Sequence, residues 1–234
     1  MKLHLHLLVF TTLASAGLAF SQVGVDGPFQ VRYASNLING GDAVIDINNT
    51  GASATTLLAP GQTVPQNNID GNICVNIYTF AAQEQEVACC SCLITPNALW
   101  SASVKTSLLS STLTPAFPNE VVIKLISTVP NGVVGDQKCN PGTISLATVI
   151  GNSNGAGPGT LANGLLAWGT SVHGFPTASG PNFRMTETPF LPASLTTAEL
   201  QRVVLECQFI QILGSGQFGI CKGCLNAGLG AAPQ

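Results

Sequence analysis

The stretch that decides the fold is Ile73–Trp100, which reads ICVNIYTFAAQEQEVACCSCLITPNALW. It contains two strand-like runs, Ile73–Phe80 and Glu86–Leu93, joined by the short polar connection Ala81–Gln85. Such runs around a short polar connection predict a β-hairpin. Half of the chain's eight cysteines lie in this hairpin. We therefore expect a hairpin that is held by disulfide bonds at the centre of an exported domain.

The N-terminus has the layout of a secretory signal peptide. An apolar run over residues 3–18 follows a basic residue, and small residues mark a cleavage region between Ala19 and Gln22. We predict that residues 1–21 are a signal peptide and that residues 22–234 form a single β-rich exported domain. A retained membrane anchor is the alternative, but the run is short and no basic stop-transfer cluster follows it.

The composition of the chain limits the classes of molecule that it can bind. Charged residues make up 8% of the chain, far below the roughly 25% of an ordinary soluble domain, while mean hydropathy is +0.36. With a formal net charge of −3, the chain has no basic stripe for a nucleic-acid partner. No second apolar run is long enough to span a membrane after the signal is removed. A surface with so few charges resists association weakly, so we expect the chain to pack against copies of itself or other cell-surface components.

Period-two alternation of apolar and polar residues predicts several further strands. In Phe29–Ser35, the residues Phe29, Val31 and Tyr33 form the apolar face, opposite Gln30 and Arg32. This strand either pairs within its own sandwich or is donated to a neighbouring copy. The other predicted strands lie at Asp42–Ile47, Ala98–Val104, Val121–Ile126 and Ile144–Ile150. Strands separated by turn signals favour a mainly β fold, an antiparallel β-sandwich-like domain.

One helix is predicted near the C-terminus. Thr196 caps it and Glu199 completes a capping box, and Gly214 ends it. A single apolar stripe follows at helical spacing, formed by Leu200, Val203, Val204, Cys207 and Ile210. Because Cys207 lies on this stripe, a disulfide bond is expected to fasten the helix to the sheet.

Turn-forming residues predict the connections between the strands. Loops are predicted at Asn48–Asn68 and at Gly151–Thr160, which lacks the Lys-Ser/Thr of a phosphate-binding loop. Leu161–Trp168 fits a strand or a short helix equally well. The proline-punctuated stretch Phe175–Pro192 is expected to be irregular.

The cysteines predict four disulfide bonds, since the count is even in an exported chain. Spacing does not fix the pairing, but adjacent Cys89 and Cys90 point to opposite faces of a strand and should have different partners. The alternatives are a metal site built from the CCSC run and the Cys221–Cys224 pair, or a thioredoxin-like redox motif. The predicted disulfide cysteines are Cys74, Cys89, Cys90, Cys92, Cys139, Cys207, Cys221 and Cys224.

Catalytic patterns are weak. Glu84 and Glu86 are neighbouring carboxylates of the kind that glycosidases use, but we place both at the exposed end of the hairpin turn. His173 is the one histidine outside the predicted signal peptide. Asp42 and Asp46 are more plausible as solvated strand positions than as calcium ligands. We therefore predict a protein that is not an enzyme and has no cofactor or metal.

The central block ICVNIYTF…EVACCSCLITPNALWSASV, followed by SSTLTPAFPNEVVIKL, resembles a group of uncharacterised secreted cysteine-rich bacterial proteins. The resemblance covers residues 28–225, and its motifs are CCSC…TPN and TLTP…P. It implies an exported, cysteine-bonded protein and assigns no functional residue.

These observations together predict a non-enzymatic extracellular or cell-surface structural protein, a self-assembling or adhesin-like subunit. The alternative is a secreted carbohydrate-binding domain or hydrolase. Either protein would be secreted, at the cell surface or in the periplasm.

Overall fold

The computed structural model describes residues 27–38, 41–54, 71–132, 135–144, 159–177, 180–213 and 218–222. These residues form two antiparallel β-sheets packed face to face, with one long helix against the outer face of the larger sheet. The predicted fold class is confirmed. The predicted signal peptide, residues 1–21, lies outside the described residues.

The described residues contain nine strands and one α-helix. They are β1 Phe29–Ala34, β2 Asp42–Asn49, β3 Ile73–Ala81, β4 Glu86–Ile94, β5 Leu99–Ser103, β6 Val121–Thr128, β7 Leu165–Thr177, β8 Gly180–Pro189, β9 Leu191–Pro192 and α1 Thr197–Leu213. Short 3-10 turns occur at Ala52–Ala54 and Pro141–Thr143, and a π turn at Val104–Leu108.

The larger sheet has the strand order β4-β3-β6-β1-β9, and the smaller has the order β5-β2-β7-β8. The predicted hairpin is confirmed as β3 and β4, which pair from Ile73 opposite Ile94 to Phe80 opposite Glu86. β6 lies at the centre of the larger sheet, between β3 and β1.

Two apolar cores hold these three layers together. Ile123 and Leu125 of β6 belong to the core between the sheets, whereas Ile126 belongs to the core between the larger sheet and α1. This strand is therefore covered on both faces. The helix-side core consists of Phe29, Tyr78, Phe80, Cys89, Ile126, Ile144, Leu200, Val203, Val204, Cys207 and Ile210.

Helix α1 begins and buries its side chains as its sequence predicts. The backbone N–H of Glu199 donates to Oγ1 of Thr196 over 3.2 Å, which satisfies one of the free donors at the helix start. The buried residues of α1 are Leu200, Val203, Val204, Cys207 and Ile210. The Glu199 carboxylate accepts a hydrogen bond from Lys124 of β6.

The prediction that Phe175–Pro192 is irregular is wrong. This stretch contains β8, which pairs with β7 from Trp168 opposite Pro189 to Thr177 opposite Gly180. Its prolines are tolerated because β8 is an edge strand with one unpaired side, where a missing N–H breaks no ladder bond. The ambiguous stretch Leu161–Trp168 leads into β7, which begins at Leu165.

Both faces of β1 are covered, with Phe29 of the predicted apolar face in the helix-side core. β1 pairs within its own sheet with β6 and β9, and its buried inner face carries Gln30 and Arg32, which are 1% and 7% exposed. Tyr33, on the expected core face, is 56% exposed. Alternation predicted the strand and its apolar face, but it did not reveal that the polar face with Gln30 and Arg32 is buried as well.

The remaining predicted segments are covered only in part. Ile144 is buried after the 3-10 turn, and the rest of the predicted strand to Ile150 lies outside the described residues. Most of the predicted loops at 48–68 and 151–160 also lies outside them. Within the ranges given above, no helix combines the length and apolar character needed to cross a membrane.

Candidate functional site

Disulfide bonds join the β3–β4 hairpin to distant parts of the chain. Cys74 pairs with Cys139, 65 residues away. Cys89 pairs with Cys207 of α1 across 118 residues, which confirms the predicted fastening of the helix to the sheet. Cys92 is also disulfide-bonded. Its partner lies outside the described residues, and Cys224 lies outside them too.

Adjacent cysteines of β4 go to opposite layers, as predicted. Cys89 lies in the helix-side core, whereas Cys90 lies in the core between the sheets and pairs with Cys221, 131 residues away. The CCSC run therefore does not act as a half-site for zinc, because its sulphur atoms are in disulfide bonds. A carboxyl oxygen of Glu86 lies within 4.8 Å of the sulphur atoms of Cys89 and Cys207, but these sulphurs are bonded to each other and offer no thiolate.

The placement of Glu86 at an exposed turn is wrong. Glu84 is exposed, but Glu86 is the first residue of β4 and is 3% exposed. Both of its carboxyl oxygens are buried, and neither has a hydrogen-bond partner among the described residues. Burial raises its pKa from 4.5 to about 9, with the Glu206 carboxylate as the next cause. A buried carboxyl group with no partner is costly for the fold and is typical of a functional site.

Acidic and basic groups of both signs surround Glu86. Lys124 binds Glu199 and lies 4.3 Å from the centre of the Phe80 ring. Arg202 donates to Oε1 of Glu206 over 3.0 Å. The chain has 8 Lys and Arg and 11 Asp and Glu residues in all, so the six ionisable groups that meet here are a large share of that total. They are Glu84, Glu86, Lys124, Glu199, Arg202 and Glu206.

A cavity of about 330 Å³ opens beside this group. Glu86 and Glu206 line it with Gln85, and its apolar wall includes Leu205 and Phe209 of α1. Oε2 of Glu206 is buried there and also has no hydrogen-bond partner among the described residues. The site therefore combines an apolar wall with three carboxyl oxygens that still have acceptor capacity.

A second buried ionisable group, Arg32, lies between the sheets. Nε of Arg32 donates to Oγ1 of Thr188 over 3.3 Å, and Nη2 donates to Oγ of Ser171 over 3.1 Å. Nη1 is buried with no hydrogen-bond partner among the described residues, and burial lowers the pKa of Arg32. The guanidinium lies flat on Gly169, where an added Cβ would overlap it.

A larger cavity, of about 640 Å³, lies at the outer side of Arg32. Arg32, Tyr33 and Thr188 supply its polar groups, and Val122 and Leu191 contribute apolar surface. The exposed Tyr33 ring gives this cavity an aromatic face, and its hydroxyl donates to Glu120.

The outward face of α1 is apolar as well. Leu205, Phe209 and Ile212 are 62%, 56% and 76% exposed. They are spaced at i, i+4 and i+7, so they form one stripe opposite the buried face. We call these three residues the outer stripe. Sequence reasoning missed it because the buried stripe alone was sufficient to explain a helix.

The other predicted candidates lie away from both cavities. Nδ1 of His173 lies 3.3 Å from Nδ2 of Asn36, in a separate polar cleft. Asp42 accepts hydrogen bonds from the hydroxyl of Ser103 over 2.6 Å and from the backbone of Lys105 over 3.1 Å. Asp46 accepts one from Ser101. These contacts support solvated strand positions that are satisfied by neighbouring side chains.

The fold and the site define a disulfide-bonded antiparallel β-sandwich whose one long helix covers a buried carboxyl group. No protein-family model matches this chain, and no curated protein or solved structure was found to match it.

Proposed function

We propose that this chain is a non-enzymatic structural protein of the cell surface, a self-assembling or adhesin-like subunit. One observation carries the proposal: α1 is apolar on both faces, and its outer stripe has no covering element among the described residues. A surface helix normally presents polar residues on its outer face, and a helix that is apolar all round is normally buried.

Composition supports association through this stripe. Charged residues make up 8% of the chain, and five of them are grouped around Glu86, so few charges elsewhere oppose contact between molecules. An exposed apolar patch of this kind marks an interaction surface. A second copy of the chain is the simplest occupant, because a stripe on one helix is self-complementary when two copies meet about a two-fold axis.

The disulfide bonds support an oxidising compartment. Bonds that join parts of the chain 65, 118 and 131 residues apart persist in secreted, surface and periplasmic proteins and are rare in the cytosol. We therefore propose that the chain acts outside the cytoplasm, secreted or at the cell surface or in the periplasm.

Native mass spectrometry and negative-stain imaging of the oxidised, exported protein test the proposal. Oligomers or ordered polymers support it. A compact monomer at high concentration contradicts it. A variant that lacks residues 225–234 is measured in parallel. Association that appears only after this deletion would mean that the chain's own tail, and not a second copy, covers the outer stripe.

The second candidate function is carbohydrate binding, and the cavity beside Tyr33 is the observation that favours it. An exposed aromatic ring beside buried polar groups suits a sugar ring, which has an apolar face and hydroxyl edges. Retention of a monomer on insoluble polysaccharide, lost in Tyr33→Ala, would support this function in place of assembly.

A further inference from the structure

The cavity beside Glu86 is bordered by two carboxyl side chains with more acceptors than the described residues use. Glu86 is 3% exposed, and its two carboxyl oxygens and Oε2 of Glu206 have no hydrogen-bond partner among the described residues. Leaving buried acceptors unpaired costs free energy. A ligand that donates hydrogen bonds to them would recover that cost.

The number of acceptors and the apolar wall select the ligand. A primary ammonium group has three N–H donors, which matches the three free carboxyl oxygens. An aliphatic stem would pack against Leu205 and Phe209, which line the cavity. Calcium fits less well because it takes 6–8 oxygen ligands, and much of the lining is apolar.

We propose that this cavity binds a primary alkylammonium group, with the ammonium held by Glu86 and Glu206 and the stem against α1. The volume of about 330 Å³ is roughly ten times the ~30 Å³ share of one water in the liquid, so a short alkyl stem fits. The group can come from a free amine or from a lysine side chain of a partner, because both present the same chemistry.

Binding is linked to proton release. Glu86 is protonated below about pH 9, and it must lose that proton to solvent before it pairs with an ammonium group. The other ionisable groups around it are Glu206, Glu199 and Arg202 on α1, Lys124 on β6, Tyr78 on β3 and Glu84 in the hairpin turn. Affinity therefore rises with pH up to about 9 and falls again once the amine itself, with a pKa of roughly 10.4, loses its charge.

Isothermal titration of the oxidised full chain with n-pentylamine tests the proposal. At pH 7 we expect 1:1 binding with about one proton released, measured by comparing two buffers of different ionisation enthalpy. The association constant should rise by up to about tenfold per pH unit between pH 6 and 8. n-Pentanol, which has the same stem and no charge, should not bind.

The variants locate the site. Glu86→Gln should abolish binding and Glu206→Gln should weaken it, whereas Glu187→Gln on the exposed strand β8 makes the same chemical change elsewhere and should leave it unaltered. Circular dichroism checks that each variant is folded. Nα-acetyl-lysine N-methylamide, titrated in parallel, distinguishes the sources: tighter binding than pentylamine assigns a lysine of a partner, and equal or weaker binding assigns a free amine.

Three results would overturn the proposal. They are absence of binding to the wild-type protein at millimolar amine, equal binding of pentanol and pentylamine, and undiminished binding in Glu86→Gln. Calcium that binds at this site and displaces the amine would replace the proposed ligand with a metal ion.

Discussion

At the scale of single residues, Glu86 determines how stability depends on pH. Its pKa is about 9 in the folded protein, against an ordinary value of 4.5. The folded state keeps a proton that the unfolded chain loses, so the free energy of unfolding falls as pH rises from about 4.5 to about 9. Below about pH 4.5 this loss of stability is absent, and above about pH 9 it is complete.

Replacing Glu86 with Gln should remove this loss. At pH 7 we expect Glu86→Gln to be up to about 3 kcal/mol more stable than the wild type, with the difference vanishing near pH 4. Urea unfolding at several pH values measures it. Glu84→Gln, two residues away and exposed, should leave the profile nearly unchanged. A wild-type protein as stable at pH 8 as at pH 5 would contradict the buried acid.

Gly169 and Arg32 should be energetically coupled. An added Cβ at Gly169 would overlap the Arg32 guanidinium, so Gly169→Ala should cost about 1–3 kcal/mol through overpacking. In an Arg32→Ala background the same change should cost much less. A double-mutant cycle by urea unfolding measures the coupling, and an equal cost in both backgrounds would show that the two residues do not touch.

The sequence did not reveal these buried charges, for a physical reason. Alternation assigns apolar residues inward, and it placed Arg32 on the solvated face of β1. In the structure that face meets Gly169, Ser171 and Thr188, whose small and polar side chains leave room for the guanidinium. Glu86 was missed similarly, because the helix that covers it lies more than 100 residues further along the chain.

At the scale of elements, local signals were sufficient where the pattern was strong. The hairpin, β2 and the buried stripe of α1 were predicted from periodicity and are confirmed. β8 was not, since its prolines resemble loop signals and its pairing with β7 is a tertiary contact. The disulfide partners also depend on how distant elements are brought together, which spacing along the chain does not encode.

The Cys89–Cys207 bond should determine the stability of α1. Replacing both residues with Ala should lower the free energy of unfolding by about 2–5 kcal/mol, because the bond closes a long loop. Hydrogen exchange should accelerate mainly in α1, and little in β2 and β7. Removing the Cys74–Cys139 pair is the comparison variant and should accelerate exchange in α1 less, because Cys139 is linked to α1 only through the neighbouring turn, where Gln208 donates to Gly142. Uniform acceleration in both variants would mean that α1 does not open separately.

At the scale of the whole molecule, the disulfide bonds should dominate stability. Several bonds of roughly 2–4 kcal/mol each are comparable with the ~5–15 kcal/mol net stability of a typical domain. Reductant should therefore lower the unfolding midpoint sharply, as measured by thermal scans. A melting curve that reductant leaves unaltered would show that the bonds do not support the fold.

The outer stripe makes the central claim testable in one measurement, sedimentation velocity of the oxidised protein over a range of concentrations. We expect the wild type to associate as concentration rises, and Leu205→Ser/Phe209→Ser/Ile212→Ser to remain monomeric. Phe183→Ser/Met185→Ser, which removes exposed apolar side chains from β8, should associate like the wild type. A wild-type protein that sediments as a monomer at every concentration, or a stripe variant that associates equally well, would contradict the account.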